Sequence, residues 1–351
     1  MPHKIAIDKR PIGVGCPTYI VAELSANHNQ NFDQAVRIVQ AAKDAGADAV
    51  KIQTYTADTI TFRSDKECFR IAGGTLWDGR ILHDLYREAY TPWEWQPKLK
   101  QAAEDLGLQL FSSAFDETAV DFLERMNVPA HKVASFELVD IGLIQKMART
   151  GKPLIMSTGM ATEAEIDEAM QAARKAGASE IALLKCTSAY PAPPEEANLR
   201  TIPELARRFN CPAGLSDHTM GTAVSVAAVA LGACIVEKHL CLNRADGGPD
   251  SGFSLEPREF KEMVNAVRIA EQALGSVQFG AGAREANGLR FRRSLFVVEN
   301  VKRGDVFTKS NVRSIRPADG LHPRHLEEIL GCRASCDIEG GTPLEWNLVV
   351  H

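Results

Sequence analysis

Two histidines, His218 and His239, close two short apolar runs in the stretch from Gly214 to Leu240, GLSDHTMGTAVSVAAVALGACIVEKHL. If both runs are strands, alternation puts Ser216 and His218 on one face of the first and Glu237 and His239 on one face of the second. The two imidazoles then share a rim. Between them MGTAVSVAAVALGA is small, apolar and helix-length, so the unit reads as a βαβ crossover joining neighbouring parallel strands. Two His ligands at adjacent strand ends can hold a divalent metal and leave positions for substrate and water. The alternative is a pair of structural histidines.

Polar residues recur at the ends of other apolar runs. In chain order they are Glu23 with Asn27 and His28, Lys51 with Gln53, Ser112 and Ser113, Lys132 with Ser135 and Glu137, Ser157 and Thr158, and Ser188 with Tyr190, which join Ser216 with His218 and then Glu237, His239 and Asp250. Lysines and hydroxyls at strand-to-helix turns, together with backbone N–H groups, can cradle a phosphate, and a carboxylate near a metal suits proton handling. The set points to an anion-and-metal site.

Parity tests each member, because inward residues of one strand must be in phase. Glu23 is in phase with Val21, Lys51 with Gln53, Ser135 with Glu137, and Cys186 with Ser188 and Tyr190. Lys132 is out of phase with Ser135, so it reaches the site only through a bulge or an irregular strand and otherwise faces outward. Asp217 and Lys238 are out of phase with the histidines and read as supports. Cys186 has no partner base in its motif and reads as a buried, inert thiol rather than a nucleophile. Trp77, Trp93 and Trp95 flank an irregular segment and are either packing or a sugar platform.

Such residues need a frame that brings many strand ends together. From Tyr19 onward, strand-like and helix-like patterns alternate: TYIVAEL, a helix from Asp33 to Ala45, ADAVKIQTY, an irregular stretch from Thr56 to Tyr90, a helix from Pro92 to Leu106, LQLFSSAF, and a helix from Glu117 to Met126. KVASFEL, PLIMSTG, EIALLKCT, PAGLSDH and CIVEKHL continue as strands, with helices expected at 141–149, 163–176, 202–209 and 257–274. Eight strand–helix pairs predict an α/β fold, a (β/α)8 barrel over residues 1–275, with active groups at the C-terminal strand ends. An open doubly wound sheet is the competing architecture. The stretch SVQFGAGAREANGLR, residues 276–290, loses the barrel rhythm and reads as a linker. Its glycines follow no strand, so they are not a dinucleotide fingerprint. Residues 291–351 have short apolar pieces and Gly turns that predict a small β-rich module.

Composition narrows the classes. Forty Lys and Arg against forty-five Asp and Glu give a net charge of -5 without a basic block, which argues against nucleic-acid binding. No stretch is long and apolar enough to span a membrane, and the first residues do not read as a signal peptide. The eight cysteines include no CxxC pair, so reduced thiols and a cytoplasmic location are expected.

The motifs IVAELSANHN, DAVKIQTY, HKVASFEL, MSTGMAT, KCTSAYPAP, GLSDHT and VEKHL resemble, in order and spacing, the sialic acid synthase family. The resemblance covers nearly the whole chain. It implies a (β/α)8 barrel followed by an antifreeze-protein-like (SAF) domain, and condensation of phosphoenolpyruvate with an amino-sugar aldehyde to a nine-carbon 2-keto acid. Within the family, GGTLWDGRILHDLYREAYTPWEW is most similar to members whose sugar is a 2,4-diacetamido-2,4,6-trideoxy aldehyde.

By the same resemblance, Glu23 matches the carboxylate at the reacting centre, Lys51 and Gln53 match residues around phosphoenolpyruvate and sugar, and Lys132, Ser135, Ser157 and Ser216 match positions holding its phosphate or carboxylate. Glu137 matches a second acid near the point of water attack. Ser188 stands where relatives often have Asn, whereas Tyr190 and Asp250 match sugar ligands. His218 and His239 match a metal pair, with Mn2+ expected and Co2+ or Mg2+ possible. Arg316 of SIRPADG resembles an arginine that one subunit's small domain offers its partner's sugar site, which implies a homodimer with exchanged C-terminal domains. A metal-dependent aldolase acting on pyruvate, and a sugar-binding module on an inactive barrel, are the alternatives from other classes.

Overall fold

A computed structural model describes residues 4–351. The chain divides into two compact units, Met1–Gly275 and Ser276–His351.

In the first unit an antiparallel hairpin, β1 (Ile5–Ile7) and β2 (Arg10–Ile12), precedes eight parallel strands: β3 (Tyr19–Glu23), β4 (Ala49–Thr54), β5 (Gln109–Ala114), β6 (His131–Val133), β7 (Leu154–Ser157), β8 (Ile181–Cys186), β9 (Ala213–Asp217) and β10 (Ile235–His239). Each pairs with the next, and β10 pairs with β3, so the barrel is closed and the open-sheet alternative fails. Strands covered on both faces carry near-continuous apolar runs. Accordingly β3, β9 and β10 are buried at every position.

The helices are α1 (Phe32–Ala45), α2 (Ala57–Ile60), α3 (Leu82–Ala89), α4 (Gln96–Asp105), α5 (Glu117–Arg125), α6 (Ile141–Ala148), α7 (Glu163–Lys175), α8 (Thr201–Phe209), α9 (Ala223–Ala230) and α10 (Pro257–Leu274). Their starts follow the capping chemistry of the sequence. Asn31 accepts from Gln34 N, Asp116 from Thr118 N and Ala119 N, and Thr162 forms a capping box with Glu165. The stretch expected to be irregular contains α2 and α3. The helix expected from Pro92 begins as a 3-10 turn, Trp93–Trp95, before α4.

Two details govern the site. Strand β6 has three residues, and the chain then turns into a 3-10 helix at Phe136–Val139, so KVASFEL is a strand only in its first part. The hairpin lies at the N-terminal ends of the barrel strands. Ile5, Ile7 and Ile12 join the barrel core, Ala6 N donates to Glu180 Oε1, and Arg10 pairs with Asp48 just ahead of β4.

The second unit has strands β11 (Ser294–Val297), β12 (Val312–Ile315), β13 (Arg333–Ala334) and β14 (Val349–Val350) and one short helix, α11 (Leu326–Ile329). Its own core includes Leu295, Val297, Phe307, Val312, Ile329 and Leu344. Residues 276–290 contain no strand.

Candidate active site

A cavity of about 540 Å³ opens at the C-terminal ends of the barrel strands. Glu23, Lys51, Gln53, Lys132, Ser135, Glu137, Ser157, Ser188, Tyr190, Ser216, His218, His239 and Asp250 all line it. Arg316 lies in the second unit, exposed, and makes no ion pair among the described residues.

The strand register explains the convergence. His239 is opposite Glu23, Glu23 opposite Lys51, Gln53 opposite Ser113, Ser113 opposite Lys132, and Glu237 opposite Ser216. Lys132 is therefore inward without any bulge. Its apparent phase error arose because Ser135 and Glu137 are past the strand's end, on the 3-10 turn. Asn27 and His28 do not line the cavity. Asn27 donates to the Leu240 carbonyl and the Ser254 hydroxyl, while burial pushes the His28 imidazole down to about 4 and Thr91 partners its Nε2.

Two buried ammonium groups and several hydroxyls make one side of the cavity suited to an anion. Lys51 Nζ is 2.6 Å from Glu23 Oε2, 3.5 Å from Glu237 Oε1 and 3.3 Å from Ser113 Oγ. Burial would lower its pKa, but the flanking carboxylates raise it, so it stays charged. Lys132 Nζ donates to Ser157 Oγ at 2.7 Å and to the Val133 carbonyl. Ser135 and Ser188 share a hydrogen bond of 2.8 Å. Gly159 is left-handed, with φ 47°, and a side chain there would collide with Ser135, so glycine is required for that turn to approach.

The carboxyls differ in state. Glu237, a member of the strand-end set to which the sequence assigns no role of its own, accepts from Ser216 Oγ at 3.0 Å, and despite burial Lys51 and Lys132 hold its pKa down. Its parity with His239 was the available signal. Glu23 is raised by burial, against the pull of Lys51. Burial pushes Glu137 up to about 7, and its Oε2 has no partner. Asp250 accepts from Ser25 Oγ and from Ala26 N, and Ser25 in turn accepts from Gln53 Nε2, which also donates to Glu23.

The imidazoles lie with ring centroids 5.4 Å apart, against Phe253 and Tyr190. His218 Nδ1 donates to the Thr187 carbonyl at 2.9 Å, which leaves Nε2 with the lone pair. For His239, burial and then the His218 and Lys51 charges push the pKa well below the usual range, and its Nδ1 is buried without a partner. His239 is thus neutral with a free lone pair, whereas for His218 burial is outweighed by Cys186 and the Thr187 carbonyl, which raise its pKa, so His218 offers its Nε2 lone pair once that nitrogen gives up its proton; on those terms the pair fits a divalent cation. Among the described residues no cluster of three or more His, Cys, Asp or Glu forms a ligand set; the protein would supply two donors. Behind them, Lys238 and Asp217 form a buried ion pair of 2.8 Å, and Asp217 also accepts from Thr219 N and Ser225 Oγ. Cys186 also lines the cavity, with Sγ 3.8 Å from His218 Nδ1. Burial raises its pKa, but the His218 and Lys132 charges bring it down to about 7, so the thiol has in space a partner that its motif does not show.

Of the tryptophans, Trp77 lines the cavity with its Nε1 donating to the Pro249 carbonyl, whereas Trp93 and Trp95 pack on Phe122 and on Phe32 and His28. Asp78 points away, capping the turn at Gly74 and Thr75. No helix among the described residues is long and apolar enough to cross a membrane.

Residues 38–279 match the NeuB family and residues 292–350 match the SAF domain. The chain is 45% identical, over 93% of its length and 95% of the relative's, to the pseudaminic acid synthase of Campylobacter jejuni subsp. jejuni serotype O:23/36. It is 33% identical to the N,N'-diacetyllegionaminic acid synthase of Legionella pneumophila, over 96% of each chain. Among solved structures, the N-acetylneuraminic acid synthetase of Leptospira borgpetersenii in complex with citrate superposes with a TM-score of 0.74 at 29% identity, covering 83% of this chain and 97% of that one.

Proposed function

The chain belongs to the NeuB family, and on that footing we propose that it condenses phosphoenolpyruvate with 2,4-diacetamido-2,4,6-trideoxy-L-altrose and water, giving pseudaminic acid and phosphate. The observation that carries the reading is the 45% identity to a pseudaminic acid synthase along nearly the whole of both chains. The physics of the cavity supports the reaction class. Lys51 and Lys132, with the Ser135, Ser157 and Ser216 hydroxyls, provide buried charge-assisted donors for a phosphate and a carboxylate together. A pyruvate aldolase would have no use for the second anion-binding group.

His218 and His239 would hold the divalent metal, Mn2+ first among the candidates, which when bound polarises the sugar's aldehyde oxygen. The lysines and serines fix phosphoenolpyruvate so that its C3 faces the aldehyde carbon, and C–C bond formation leaves C2 electron-poor. Water adds at C2, and Glu137 takes its proton. A carboxyl held near pH 7 with a free oxygen suits that base role, whereas Glu23 is engaged by Lys51 and Gln53. Glu23 keeps Lys51 in place through reaction, and the C2–O bond to phosphate then breaks. Asp250, Tyr190 and Ser188 orient the sugar. The protein is a homodimer, and Arg316 of each subunit serves its partner's sugar site.

The test is phosphate release from phosphoenolpyruvate with three aldehydes: the altrose, its 2,4-diacetamido-mannose isomer, and N-acetylmannosamine. The altrose should have the highest kcat/KM. Higher efficiency with the mannose isomer would reassign the chain to legionaminic acid formation, higher efficiency with N-acetylmannosamine to N-acetylneuraminate formation, and equal turnover of plain pyruvate would replace the whole reaction class.

A further inference from the structure

The cavity has two chemically different halves. The strand ends and the turns after them supply its lysines, carboxyls and imidazoles, whereas nearly all of its aliphatic lining comes from a single segment, residues 57–89, that lies between β4 and α4, with Tyr55, Phe115, Phe136 and Phe253 adding aromatic rings. That segment presents Ile60, Ile71, Trp77, Leu82, Leu85 and Ala89 to the cavity.

The segment's polar capacity is directed elsewhere. It contains many charged residues, yet none of them lines the cavity. Arg80 pairs with Glu88 and Arg87 with Asp84. Asp78 takes up Thr75 Oγ1 at 2.7 Å, and the Trp77 indole N–H is spent on Pro249. With the Trp77 N–H so engaged, the Thr75 and Tyr86 hydroxyls are the remaining polar groups among the segment's cavity-lining side chains. A substrate hydroxyl brought against the aliphatic part of this wall gives up water without gaining a partner, while a methyl group there gains contact area.

An open-chain sugar must place its C1 aldehyde beside the reacting carbon of phosphoenolpyruvate, at the strand-end half. Its chain then runs away from that half. We infer that Ile71, Leu82 and their aliphatic neighbours form the subsite for the far, C6 end of the sugar and select a methyl group there over a hydroxymethyl. The inference rests on the proposed function and adds to it the residues that read the 6-deoxy position. Trp77 sits between the halves, its ring 5.6 Å from Tyr190 and 6.4 Å from Phe253, and covers the middle of the chain.

The test uses two aldehydes that differ in one oxygen: 2,4-diacetamido-2,4,6-trideoxy-altrose and the same sugar with its 6-hydroxyl. For the unmodified enzyme the kcat/KM ratio should favour the 6-deoxy sugar by about 10- to 100-fold, the scale on which an apolar pocket discriminates against one misplaced polar group. Leu82→Gln and Ile71→Thr, each adding a polar group at a different point of the wall, should each reduce that ratio at least about 5-fold, with phosphoenolpyruvate KM unchanged. Leu82→Met, which conserves apolar volume, should keep it. An unchanged phosphoenolpyruvate KM reports an intact site, and two independent positions keep the comparison decisive if one variant folds poorly. Ratios unaltered in both polar variants would overturn the subsite while leaving the proposed reaction standing. An unmodified enzyme that prefers N-acetylmannosamine would overturn both.

Discussion

Lys51 Nζ sits between two carboxylates, 2.6 Å from Glu23 and 3.5 Å from Glu237, with all three side chains almost wholly withdrawn from solvent. Charges buried this deeply persist only as a mutually compensating set.

Removing the shared cation should therefore cost more than neutralising one of the anions. Lys51→Met is expected to lower unfolding free energy by about 3–5 kcal/mol and to abolish turnover. Glu23→Gln should cost less, and the double variant should recover part of the loss. Urea titrations of the three variants measure the coupling; strict additivity would contradict the geometry.

Glu137 makes stability and rate depend on pH in a defined direction. Burial raises its carboxyl from 4.5 to about 7, so over that interval the folded chain keeps a proton that the unfolded chain has released. Its contribution is fully present below about 4.5 and is lost as pH rises through 7, an effect of order 3 kcal/mol. Glu137→Gln should hence gain stability relative to the parent at pH 8 and not at pH 4. As the proposed base, Glu137 also predicts a kcat/KM that rises with pH to a plateau above about 7, and the Gln variant should have lost that limb along with most of its rate.

A metal held by two imidazoles relies on water and substrate to complete its shell, so it should exchange readily. Prolonged chelation is expected to abolish activity, with Mn2+ restoring it and Co2+ or Mg2+ doing so in part. His239→Ala should show loss of Mn2+ binding in a direct titration, independently of turnover. Full activity in a metal-free sample would remove the metal role from both histidines.

The Asp217–Lys238 pair lies one residue before each histidine and ties β9 to β10 from behind. Lys238→Met leaves a buried carboxylate alone and should cost about 3–5 kcal/mol, and adding Asp217→Asn should restore most of it. Calorimetric melting of both variants decides this.

If Arg316 serves the partner's site, Arg316→Ala should raise the sugar KM sharply and leave the phosphoenolpyruvate KM nearly unchanged. Mixing it with a Glu23→Ala chain should restore activity once heterodimers form. Heterodimers that form without recovered activity would confine the arginine to its own chain.

The barrel was legible because its strands are continuous apolar runs ending in polar residues, a pattern that survives without knowledge of contacts. Inward parity located Glu23, Lys51 and the histidines correctly at the cavity. At Lys132 parity misleads unless the strand is irregular, and it is: β6 stops after Val133. Helix α3 was missed because it is short and amphipathic and begins without a capping side chain. The hairpin at Ile5–Ile12 was missed as well, since two three-residue strands carry almost no periodicity. Glu237 shares the histidine's parity and stands in the strand-end set, but its role as a partner of Lys51 shows only in the folded chain.

The hairpin gives newly made chains a particular hazard. Ala6 is anchored by Glu180, 174 residues later, and Thr18 by Glu271, 253 residues later. At about 5–20 residues per second, a ribosome takes on the order of ten to fifty seconds to deliver those partners. Through that interval Ile5, Ile7 and Ile12 have no completed barrel to enter, so three side chains of the barrel core stay exposed while the rest of the barrel is made. A chaperone that holds residues 5–12 until Glu271 has been made, or faster elongation, should accordingly raise the yield of folded enzyme.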